Sequence, residues 1–89
     1  MIRLIMPNGY DWASAPDARV TRYLLGVRRT WSSEERLWGL MSAEDRELLP
    51  IRIDDQIAVL RQLVAAHPRK AVPVETIIAR LEAFKARAG

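Results

Sequence analysis

The chain has no cysteine and only one histidine, His67, in 89 residues. Without thiols there is neither a disulfide nor a thiolate metal site, so the fold must rest on packing or on a partner, and a reducing compartment suits it. Glycine is scarce: Gly9, Gly26, Gly39 and Gly89 stand apart from one another, which rules out a glycine-rich phosphate loop. Long apolar runs are missing as well. The start Met1-Ile2-Arg3-Leu4-Ile5-Met6 stops at Pro7, short of a signal peptide's apolar region and far short of a membrane span. A cytoplasmic location with no membrane contact is therefore expected.

What is present is a globular composition, 49% hydrophobic and 28% charged. It is sufficient for one domain over residues 1–89, burying roughly 60–65% of the surface the unfolded chain exposes. The net charge is +3, and twelve of the fourteen basic residues are arginine. The guanidinium fork suits phosphate or carboxylate recognition. GC-rich codon usage produces the same bias, and the scatter of these arginines among acids fits that plainer reading.

Hydrophobic periodicity divides the rest of the chain. Ser14 reads as an N-cap, with Pro16 in the opening turn and Asp17 at the positive helix end. Val20, Tyr23, Leu24, Val27 and Trp31 then recur at three- and four-residue steps, which predicts a helix over 15–30. Ser32-Ser33-Glu34-Glu35 has the form of a capping box and predicts a short helix over 33–41. Ser42-Ala43-Glu44-Asp45 repeats the device over 43–49, where Pro50 ends it. Caps this close imply a bend near Met41-Ser42 and a broken helix in two short pieces. Asp54 reads as the cap of a helix over 55–66 that Pro68 stops. After the loop 67–73, a last helix over 74–88 carries Val74, Ile77, Ile78, Leu81 and Phe84 on one face.

The expected fold is mainly α, a small bundle of about four helices, with 54–88 an antiparallel hairpin forming its framework. Two alternating stretches, 2–6 and 51–53, leave room for a short N-terminal strand before the turn at Asn8-Gly9.

Enzymatic chemistry finds no support. His67 precedes a proline at a predicted helix end, where it is better placed to meet terminal carbonyls than to act as a base. The acidic pairs Glu34-Glu35, Glu44-Asp45 and Asp54-Asp55 all fall at predicted helix starts, so capping explains them without a metal. No cofactor is expected.

Binding remains, in two forms. Tyr10, Trp12, Tyr23, Trp31 and Trp38 all lie in the first 38 residues, and Phe84 is the only later aromatic. Trp, Tyr and Arg dominate binding hot spots. Trp12 and Trp38, at the edges of predicted helices, are expected to stay partly exposed. With Arg19, Arg22 and Arg29 on one helix flank, they form a candidate surface for a larger protein, or for a second copy of this chain. Such a module would be a small adaptor, assembly factor or inhibitor, of the kind phages and mobile elements encode.

The other form is DNA binding. Leu60-Arg61-Gln62-Leu63-Val64, the loop, and Val74-Glu75-Thr76-Ile77-Ile78-Ala79-Arg80-Leu81 together resemble the opening two helices of winged-helix repressors, over less than a third of the chain. The resemblance implies a helix-turn-helix-like unit with Arg69, Lys70, Thr76, Arg80 and Arg87 facing nucleic acid. Where that family continues into a recognition helix, this sequence runs through Glu82-Ala83-Phe84-Lys85 to Gly89.

Overall fold

The structure, a computed structural model, describes residues 9–88. Three α-helices carry the chain: α1 (Asp17–Arg36), α2 (Ala43–Ala66) and α3 (Ala71–Ala88). Single 3-10 turns precede or join them at Trp12–Ser14, Trp38–Leu40 and Pro68–Lys70. The expectation of about four helices thus becomes three, each longer than the local signals suggested. No strand occurs among the described residues; the expected strand at 2–6 lies outside them, and 51–53 is helical. Gly9 takes the positive φ, 86°, that its turn position called for.

The first correction is at Ser32-Ser33. They do not open a helix over 33–41, because α1 runs straight through them to Arg36. Ser14 does not cap α1 either; its hydroxyl donates to Asp11 Oδ2 at 2.6 Å, and Pro16 stands at the N-cap without a side-chain bond. The bend near Met41-Ser42 is present. Ser42 is extended there and its Oγ accepts from the Asp45 amide at 3.1 Å, the forward bond of a cap. We expect Ser42→Ala to cost about 1 kcal/mol, read as a shifted urea midpoint with an unchanged slope.

The second correction is at Pro50. It does not stop the segment 43–49; α2 passes through it, and Asp54, instead of capping 55–66, sits mid-helix and pairs with Lys85 at 2.7 Å. A proline inside a helix forfeits one backbone bond and strains the preceding turn, a cost of about 3 kcal/mol. Packing on both sides outweighs it. Leu49, Ile53, Gln56, Leu60 and Leu63 follow one another at steps of four and three, forming a single buried stripe across the proline.

Pro68 does end α2, at Ala66, and α3 begins three residues earlier than expected, with Pro73 tolerated in its first turn. α3 packs against α2, and Val74, Ile77, Ile78, Leu81 and Phe84 enter the core beside the stripe of α2. Val20, Tyr23, Leu24, Val27 and Trp31 cover it from α1. Trp12 closes one end of the core from its 3-10 turn. Its carbonyl accepts from His67 Nε2 at 2.6 Å, so this ring nitrogen carries the proton. His67 therefore meets a carbonyl, as expected, but one 55 residues away in sequence and not at its own helix end.

Candidate functional site

At about 100° per residue, the outward arc of α1 opposite Val27 carries Leu25, Arg28, Arg29, Ser32 and Arg36. Beside this arc lies an open groove between α1 and α3. Leu25, Arg28, Arg29, Ser32 and Arg36 line it from α1, Arg80 lines it from α3, and Glu35 is the only acid in its wall. Four arginines from two helices therefore line one shallow, open groove. Arg28 and Arg29 form no ion pair among the described residues, and Arg36 reaches only Ser33 Oγ, at 3.3 Å. Glu35 is already engaged: its two oxygens each accept at 2.8 Å, one from Arg80 Nε and the other from Arg87 Nη2. These pairs join α1 to α3. Because both arginines are 65% exposed, each pair stabilises by no more than about 1 kcal/mol.

Deeper between the same helices is a small cleft of ≈ 60 Å³. Trp31, Ile77, Leu81 and Phe84 form its apolar walls, while Arg28, Glu35 and Arg80 also border it. The site thus places an apolar slot beside a cationic wall.

The residues expected at a partner surface are only partly brought together. Arg29 lies in the groove. Arg22 is exposed two turns before it on the same side of α1, and Arg19 lies farther round the helix, where its Nη1 donates to Tyr10 Oη at 3.4 Å. Trp12 corrects its expectation: it is 2% exposed, packed edge-on to Tyr10 and tilted against Tyr23, so it offers no surface to a partner. Trp38 is half-buried, with its ring edge-on to Phe84 and the Arg46 guanidinium 4.5 Å from its centroid. The aromatic half of the expected surface therefore belongs largely to the core.

The residues implied for DNA contact are dispersed in role. Lys70 is tied to Asp17 and Thr21 Oγ1, both at 3.1 Å. Thr76 Oγ1 donates to the Val72 carbonyl at 3.1 Å, and Arg80 and Arg87 share Glu35. Arg69 is exposed. The outward face of α3 also carries Glu75 and Glu82, which interrupt its positive charge.

Sequence reasoning missed Arg28, Arg36 and the role of Glu35. A helical wheel of α1 does place Arg28 and Arg36 on either side of Ser32, but no local pattern brings Arg80 across to them. Among the described residues no group of three or more acidic or histidine side chains is placed to hold a metal, and no helix is long and apolar enough to cross a membrane. Compared with protein-family models, curated proteins and solved structures, the chain finds no match in any of the three.

Proposed function

We propose that this protein is a non-enzymatic binding module, a small adaptor, assembly factor or inhibitor, that takes an acidic segment of a larger protein in the α1–α3 groove. One observation carries the reading: Arg28, Arg29, Arg36 and Arg80 line a single open groove whose only acid is already held by Arg80 and Arg87. Like charges so gathered repel one another across a solvated groove, and a carboxylate-rich chain relieves that repulsion while displacing little ordered structure. Guanidinium groups also bind carboxylates in a fixed two-pronged geometry, which favours protein acids over a diffuse counterion cloud. The absence of cysteine suits the cytoplasm as the place where this happens.

Fluorescence anisotropy with an acidic peptide, a basic peptide of equal length and a DNA duplex tests the proposal. The acidic peptide is expected to bind best. The double substitution Arg28→Ala with Arg29→Ala, at two exposed positions, should weaken it about tenfold, equivalent to about 1.4 kcal/mol, without changing the melting temperature. Duplex DNA binding more tightly than the peptide, with a steep loss on added salt, would instead favour the helix-turn-helix-like alternative.

A further inference from the structure

The groove is one flank of a longer feature. Arg22, Leu25, Arg29, Ser32 and Arg36 follow one another along α1 at alternating steps of three and four residues, the spacing of facing positions in a two-helix seam. Arg22, Arg29 and Arg36 are exposed and stand seven residues apart, so about 10.5 Å separates neighbours and about 21 Å separates the outer two along the axis. Leu25, the one aliphatic residue in the row, is 47% exposed. The core is on the other side of this helix, so packing within the molecule does not account for the row. Arg28 and Arg80 bound it toward α3.

We propose that the acidic partner is itself an α-helix that lies along α1, its carboxylates recurring every seven residues to meet Arg22, Arg29 and Arg36, with an aliphatic side chain beside Leu25. The inference rests on the acidic-segment reading above and adds the partner's conformation and register. Charge complementarity fixes the sign of the partner. Spacing fixes its shape, because an extended strand presents side chains on one face about every 6.6 Å and drifts out of step with the middle arginine. Two helices in 3–4 packing keep the step over this length, their axes crossing at about 20°.

Three peptides of about three heptads, equal in length and charge, test the proposal in a binding titration. The first is helical with glutamates in one seven-residue row, the second has the same residues shuffled around the helix, and the third carries a central proline. The first should bind about tenfold more tightly than the other two, a difference of about 1.4 kcal/mol. Arg22→Ala, which lies outside the groove, should weaken the first several-fold and leave the shuffled peptide unaffected. Equal binding of all three peptides, still lost in the Arg28→Ala, Arg29→Ala variant, would overturn the helical partner while sparing the groove. Failure of every peptide would remove both.

Discussion

Phe84→Ala is expected to destabilise the protein by about 3–5 kcal/mol, a large part of the roughly 5–15 kcal/mol that holds a domain folded. Phe84 is 2% exposed and meets two tryptophans edge-on, Trp31 at 6.5 Å and Trp38 at 6.4 Å between ring centroids. The substitution opens a cavity and removes both ring contacts, each contributing about 0.5–1.5 kcal/mol beyond the buried area. It also strips Trp38 of the ring it meets edge-on, leaving the Arg46 guanidinium 4.5 Å from its centroid. The melting temperature should fall by about 15–30 °C, and Phe84→Leu, which keeps most of the volume, should lose less than half as much. A Phe84→Ala loss below about 1 kcal/mol would mean that the last turns of α3 contribute little to the core.

Gln56→Leu is expected to cost about 2–4 kcal/mol for a different reason. The side chain is fully buried and serves as a junction: its Oε1 accepts from Trp31 Nε1 at 3.2 Å, and its Nε2 donates to Tyr23 Oη at 2.9 Å. Leucine fills nearly the same space, so the loss comes from polarity: a buried indole N–H is stranded and the tyrosine loses one donor. Combining Gln56→Leu with Trp31→Phe removes the stranded donor. Chemical denaturation should show the double variant losing less than the sum of the single losses, by about 1 kcal/mol or more. Strict additivity would mean that the two side chains are not energetically coupled. The Glu34–Arg52 ion pair spans the same two helices and, being partly exposed, contributes less.

Gln56 also shows why the middle of the fold was misread in the sequence. The apolar faces of α1 and α3 are legible because Val20 through Trp31 and Val74 through Phe84 repeat without interruption, and the Ser42 cap and Pro68 stop are local chemistry. α2 has an equally regular stripe, but its central member is polar and its flanks carry Pro50 and Asp54-Asp55, all local signs of a helix boundary. Burial against two other helices overrides those signs, and that burial depends on partners far along the chain. Ser32-Ser33-Glu34-Glu35 misleads in the same way. Glu34 and Glu35 resemble capping acids, yet their partners Arg52, Arg80 and Arg87 arrive from α2 and α3. The site was half legible for the same reason: arginine enrichment and the exposed arc of α1 can be read from sequence, whereas the crossing of Arg80 to Arg28 is a product of the tertiary fold. The expected exposure of Trp12 failed because a residue ahead of the first helix showed no sign of the Tyr10, Tyr23 and His67 contacts that enclose it.

The unbroken passage of α1 through Ser32 and Ser33 has a consequence for recognition. Had the helix ended there, Arg36 would belong to a separate segment, free to move relative to Arg22 and Arg29. As one rod of 20 residues, about 30 Å long and fastened along its inner side, α1 sets the distances between its outward charges before any partner arrives. Association then requires no further ordering of this backbone, and the conformational entropy normally lost on binding falls mainly on the partner. In the proposed recognition such a surface works as a ruler, selecting among equally acidic chains by the interval between their charges and not by their number.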